Sequence, residues 1–339
     1  MQLLILPVSG GGFVSQLAIL THLCQLKYKP DITFASSGGN VAAYVASAAN
    51  WQWSQIERVA EDISHDLFAQ AWSSIPALSS LIGFFSGNAF KQGKGVKEFF
   101  LKHFEAETIG QYEIWTGTYN KTRQQACLFC NKTREQSQVD FSKIDLFVTQ
   151  CMEPKYLQDT DPLPRIAKIS TTSASIPAVV DGQIFDGEYY VDGGVCGSSP
   201  FTIMHSCFNP PENIHITYVN CLDLASPIYN EGINVLDTWR QATTDLIRSQ
   251  TLIERSIIYN NLNCLNGEIK YLATDCNYEE LDRLLQLRNK ARSSLLEIFP
   301  RVAGDNNWEV QLTSFTGEDV KQSIRAIYPH CFCRLWYVD

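Results

Sequence analysis

The first fifty residues alternate between short apolar runs and helical stretches, and nothing later in the chain constrains the fold as strongly. Residues 2–8 (Gln-Leu-Leu-Ile-Leu-Pro-Val) have the length and character of a buried strand. A glycine loop occupies 9–12. Residues 15–27 place Leu17, Ile19, Leu20, Leu23 and Leu26 at helical spacing. A second apolar run, 31–35, ends in a turn, and an Ala-rich helix over 39–49 follows. Strands joined through helices lie parallel, and a parallel sheet needs cover on both faces. The predicted class is therefore α/β with a mainly parallel sheet.

The rest of the chain is read more coarsely. Residues 51–110 look mostly helical, with a loop-like middle at Ser73 to Ser86. A hairpin is predicted from Glu113 to Tyr119 and Ala126 to Cys130, turning around Asn120 to Gln125. Ile144 to Thr149 is another apolar run, and a helix is predicted over 163–176, ending before Pro177. Two Asp-Gly turns, Asp181-Gly182 and Asp186-Gly187, punctuate short strands leading to Asp192. Ile214 to Cys221 reads as a late strand. Beyond about 225 the pattern shifts, with helices at 235–262, 278–298 and 317–327 and strands at Trp308 to Leu312 and Cys333 to Val338. The expected division is 1–224 as the core domain and 225–339 as a mostly helical extension packed on it.

Composition narrows the classes of function. The chain has 339 residues, 45% hydrophobic and 19% charged, so it can bury a large core. A formal charge of −9 argues against nucleic acid as a partner and against broad attraction to anionic membranes. The apolar start lacks a basic leader and is short, so it reads as a strand and not as a signal peptide. No apolar stretch reaches the roughly 20 residues needed to span a bilayer. Eleven cysteines without an export signal suggest reduced thiols and a cytoplasmic setting, peripheral at membranes at most. The sequons at Asn120 and Asn131 are then unused.

The turn Ala35-Ser36-Ser37-Gly38-Gly39 is where chemistry concentrates. It has the small-x-Ser-x-Gly pattern at a strand-to-helix junction, which presents a serine hydroxyl beyond the sheet and backbone N–H groups beside it. Ser37 is preferred to Ser36, because only Ser37 has small residues two before and two after. Gly10-Gly11-Gly12 offers further N–H groups able to approach an anion. It matches neither the Walker loop nor the dinucleotide fingerprint. Asp192, followed by Gly193 and Gly194, can end a strand in a tight turn and act as a base.

Together, Ser9-Gly10-Gly11-Gly12, Ala35-Ser36-Ser37-Gly38-Gly39 and Asp192-Gly193-Gly194 resemble the patatin-like phospholipases in order and spacing. Supporting segments are similar too: Ser86-Gly87-Asn88-Ala89, Thr116-Gly117-Thr118-Tyr119-Asn120, Ser173-Ala174-Ser175-Ile176-Pro177 and Ser198-Ser199-Pro200. The resemblance covers roughly residues 2–222. It implies a three-layer α/β/α fold and a Ser37–Asp192 dyad. It also implies an oxyanion hole from Gly38 with Gly10, Gly11 and Gly12. The expected reaction is acyl-ester hydrolysis on phospholipid or another lipid, without metal or other cofactor. Two positions depart from the family. Ala35 stands where glycine is usual, a tolerable methyl group. Phe13-Val14-Ser15 follows the glycine triplet where a basic residue and glycine are usual. That leaves open a neutral-lipid substrate, a basic residue elsewhere, or impaired activity.

Other arrangements fit the sequence less well. A histidine base would have to come from His22, His65, His103, His205, His215 or His330, none in evident glycine or carboxylate company. Cys127 and Cys130 on one strand point to opposite faces, which disfavours a zinc site with them; these thiols, and Cys331 and Cys333 beside His330, read as buried reduced thiols. Residues 72–104 interleave aromatic residues with Lys91, Lys94, Lys97 and Lys102. They read either as a lid touching the membrane surface or, more simply, as amphipathic helices covering the sheet.

Overall fold

The structure is a computed structural model of the 339-residue chain. It describes residues 1–9, 13–62, 94–139, 152–158, 161–176, 180–194, 214–219, 268–274, 278–288, 290 and 294–300. The alternation predicted for the first fifty residues is present. Strand β1 (Gln2–Leu6) leads to α1 (Phe13–Gln25), then β2 (Ile32–Ser36) and α2 (Gly38–Ala48). Helices α3 (Trp53–Asp62), α4 (Lys94–His103) and α5 (Ala106–Ile109) follow. The predicted hairpin is β3 (Glu113–Asn120) with β4 (Gln125–Cys130), antiparallel in register from Trp115 opposite Cys130 to Asn120 opposite Gln125. Then come β5 (Met152–Lys155), α6 (Pro162–Ser173), β6 (Gln183–Phe185), β7 (Glu188–Asp192) and β8 (His215–Val219). The last described elements are β9 (Glu268–Thr274), α7 (Tyr278–Arg288) and β10 (Ser294–Pro300).

Among the described residues these strands make one ten-stranded sheet in the order β5-β4-β3-β2-β1-β8-β10-β9, with β7 on β3 and β6 on β7. The run from β3 through β9 is parallel throughout; only the β3–β4, β3–β7 and β6–β7 pairs are antiparallel. The class is the expected one. Alternate residues of β1 and β2 go to opposite faces, as the pleat demands. Leu4, Leu6 and Ala35 join a core cluster with Leu17, Leu20 and Val41 from the helices, whereas Leu3, Ile5, Ile32 and Phe34 join a second cluster with Trp115 and Tyr218. All are buried, so both faces are covered.

One predicted element changes type. The helix expected over 278–298 stops at Arg288, and Ser294–Pro300 is a strand pairing with both β8 and β9. Leu295, Leu296 and Ile298 fit either period in so short a run. Two strands from the C-terminal third thus continue the central sheet. The boundary expected near residue 225, the apolar run 144–149, the helices at 235–262 and 317–327 and the strands at 308–312 and 333–338 lie outside the described residues.

Of the segment 72–104, the described part is α4 and Phe104. Val96, Phe99, Phe100 and Phe104 are buried, and Phe100 packs edge-on against Tyr44 of α2 with ring centroids 5.5 Å apart. Lys97 and Lys102 are exposed. This stretch belongs to the layer covering the sheet. Among the described residues no helix is long and apolar enough to cross a membrane.

Gly39 fixes how closely α2 meets the sheet. A Cβ there would stand 2.4 Å from the Leu6 carbonyl oxygen and 2.6 Å from that of Pro7. Both are backbone atoms at the end of β1 and cannot swing aside. Gly39→Ala is expected to cost about 3 kcal/mol, at the upper end for overpacking. A urea midpoint unchanged from the parent protein would contradict that close approach.

Candidate active site

Three chain segments meet at the C-terminal end of the parallel strands. The first is the serine turn. Ser36 ends β2 in regular pairing with Gly117, while Ser37 takes φ 54° and ψ −130° immediately before α2. A positive φ is uncommon for a residue with a Cβ and costs on the order of 1–3 kcal/mol, so the surroundings must impose it. The Ser37 N–H donates to Ser173 Oγ at 2.9 Å, and that hydroxyl donates to the Gly117 carbonyl at 2.7 Å. The Asn40 N–H donates to the Ser37 carbonyl at 3.1 Å. Asn40 is itself held, its Oδ1 accepting from Thr116 Oγ1 at 2.7 Å. Gly38 opens α2, where a helix has N–H groups that it cannot satisfy internally.

The second segment carries Asp192. Strand β7 runs antiparallel along β3, with Asp192 opposite Thr118. Strand β2 runs parallel along β3 and ends with Ser36 opposite Gly117. β4 occupies the other edge of β3. So β2 and β7 share one edge of β3 and meet head to head, their last residues separated by one position of β3, about 3.3 Å of strand rise. Ser37 and Asp192 therefore lie at the same junction. Ser37 is 1% exposed and Asp192 fully buried. The Gly194 N–H donates to Asp192 Oδ1 at 2.8 Å, which fixes the carboxylate's orientation, and the Asp192 N–H donates to the Ser175 carbonyl at 3.0 Å.

The start of β7 is tied down as firmly. Glu188 accepts from Tyr190 Oη at 2.7 Å and from Asn120 Nδ2 at 2.8 Å, and it pairs with Arg123. The Tyr190 hydrogen bond, with those from Asn120 and Arg123, holds the Glu188 carboxyl down at about 2. The hairpin turn before it places Asp186 and Gly187 at positive φ, the geometry that Asp-Gly favours.

The third segment is the end of β1. Gly39 rests on the Leu6 and Pro7 carbonyls, and a Cβ on Gly194 would stand 2.4 Å from Val8 Cβ. Both the serine turn and the aspartate turn thus pack on the residues that lead into the glycine loop. Gly10, Gly11 and Gly12 themselves lie outside the described residues. Ala35 is fully buried in the first core cluster, so its methyl group is accommodated.

The alternative bases sit elsewhere. His215 pairs in register with Gln2 at the opposite, N-terminal end of the strands, with Nδ1 3.0 Å from Ser294 Oγ. His22 lies in the last turn of α1 beside Gln25. His103 packs at a tilt against Phe99 with ring centroids 4.8 Å apart. His65, His205 and His330 lie outside the described residues, as do Cys331 and Cys333. Cys127 and Cys130 are both buried and fall in different core clusters, as positions three apart on a strand should. Burial pushes the Cys127 thiol up to about 12.

Sequence comparison decides the lineage. The family model described as "Patatin-like phospholipase" matches residues 6–205. The chain belongs to the patatin-like phospholipase family. Its span as a patatin-like domain takes in the glycine loop, the serine turn and Asp192. A search of curated proteins found no match. Among solved structures the chain is similar to VipD from Legionella pneumophila, with a TM-score of 0.38 at 11% identity over 97% of this chain and 67% of that one.

Ser173, Thr116 and Asn40 were not singled out by sequence reasoning as site residues. Ser173 and Thr116 fall in segments that resemble the family, but nothing local to them says what they touch.

Proposed function

We propose that the protein is a serine lipid acyl hydrolase of the phospholipase A type, with Ser37 as nucleophile and Asp192 as its base. The head-to-head meeting of β2 and β7 on one edge of β3 carries this reading, because it brings a strained serine and a buried carboxylate to one junction. Asp192 takes the proton from Ser37 Oγ as the oxygen bonds to the acyl carbonyl carbon. The N–H of Gly38 and those of Gly10, Gly11 and Gly12 receive the oxyanion. Collapse breaks the ester C–O bond, and Asp192 returns the proton to the departing alcohol. Water, deprotonated by the same carboxylate, then releases the fatty acid and restores the Ser37 hydroxyl.

Substrate choice turns on Phe13. It begins α1 and is buried in the helix-side core, where the family usually has a cation. No headgroup phosphate finds a partner in that side chain. Incubation with triacylglycerol, phosphatidylcholine and short-chain esters tests both points. Fatty acid release is expected, with the neutral lipids turned over at least as well as the phospholipid. Binding of lipid without release from any of the three would favour a scaffold on the same frame, and acyl transfer to an added alcohol would favour a transferase.

A further inference from the structure

The last turn of α6 carries four buried hydroxyl residues in succession, Ser170, Thr171, Thr172 and Ser173. Thr171 and Thr172 bond back into their own helix, to the Ala167 and Lys168 carbonyls, each at 2.8 Å. Ser173 does not. Its hydroxyl spans two other elements, accepting from the Ser37 N–H at 2.9 Å and donating to the Gly117 carbonyl at 2.7 Å. Two residues on, the Ser175 carbonyl accepts from the Asp192 N–H at 3.0 Å. One short segment thus grips the backbone of both Ser37 and Asp192. Gly117 is also the partner of Ser36 in the β2–β3 register, so the Ser173 hydroxyl ties the turn to the strand beside it.

We propose that Ser173 is a positioning residue for the acylation step: its hydroxyl holds the Ser37 turn in its strained backbone geometry and, with the Ser175 carbonyl, sets the Ser37 to Asp192 alignment. This rests on the acyl-hydrolase reading. A residue at φ 54° keeps that conformation only while its surroundings over-determine it. Removing the hydroxyl leaves a buried donor and a buried acceptor unmatched at the turn, and relaxation of the turn is the cheapest relief. The reacting oxygen then moves away from the carboxylate.

The experiment is the rate of fluorophosphonate labelling as a function of probe concentration, which separates kinact from KI. Ser173→Ala is expected to lower kinact about ten- to hundredfold, the scale of a misplacement near 1 Å, with KI nearly unchanged. Thr172→Ala, which removes an equally buried hydroxyl one residue earlier, is expected to label at the parent rate. Ser173→Thr, which keeps the hydroxyl, is expected to recover most of the loss. Should Ser173→Ala fail to fold, Ser173→Cys keeps the volume with a poor hydrogen-bonding group and carries the same expectation. Parent kinact in the Ala or Cys variant, equal slowing by Thr172→Ala, or no recovery with threonine would overturn the proposal. Ser37→Ala runs alongside. Labelling that survives it removes the hydrolase reading itself, whereas its loss beside a normal Ser173→Ala removes only the role of Ser173.

Discussion

Ser37→Ala is expected to abolish fluorophosphonate labelling and to lower acyl-ester hydrolysis by at least about ten-thousandfold, the loss typical when a nucleophile acting as part of a unit is removed. The variant should fold. Ser37 holds its neighbours through its backbone, by the N–H to Ser173 and the carbonyl to Asn40, and alanine keeps both. Alanine bears the same strain at positive φ as serine does, so thermal stability should stay close to that of the parent. Ser36→Ala makes the matching control. Ser36 lies in regular strand pairing with Gly117, and its variant should label normally. A labelled Ser37→Ala protein would move the nucleophile elsewhere.

Asp192→Asn is expected to cost about a thousandfold to ten-thousandfold in kcat, the range seen when a catalytic carboxylate becomes its amide. Asparagine preserves size and can still accept the Gly194 N–H on its carbonyl oxygen, so the turn should survive. What it loses is the ability to accept a proton, the role proposed for Asp192. The proposed dyad acts as a unit, so on this reading the double variant should be no slower than Ser37→Ala alone. Multiplying losses would mean that the two side chains work separately, and a fully active Asp192→Asn would point to a different base.

Local patterns made much of this legible. The serine turn is a sequence-local device: a strand end, a small residue two either side and an Ala-rich helix to follow. It could be read directly from residues 32–49, and the positive φ falls on Ser37 and not on Ser36. The Asp-Gly turn at 186–187 likewise announced the β6–β7 hairpin that delivers Asp192. Less visible was why these pieces meet. That depends on β7 taking over the edge of β3 where β2 stops, a tertiary fact with no local trace. The Ser173 contact joins residues 136 apart and was hidden for the same reason. Strand β10 was missed because Leu295, Leu296 and Ile298 satisfy a helical stripe as readily as a buried strand. Only pairing on both sides, with β8 and β9, settles its type.

Gly39 and Gly194 show how a chemical arrangement becomes a packing requirement. Each lies two residues beyond a proposed catalytic side chain, and each has no room for a Cβ against the end of β1. The same bare backbone lets both turns close on the chain at Leu6, Pro7 and Val8.

The most direct test is an experimental structure of the fluorophosphonate-treated protein. It should show phosphorus bonded to Ser37 Oγ, the phosphonyl oxygen facing the Gly38 N–H, and the Asp192 carboxyl, holding the proton taken from Ser37 as fluoride leaves, within about 2.6–3.2 Å of the modified oxygen. Phosphorus on any other side chain, or an Asp192 carboxylate turned away from that oxygen, would contradict the dyad.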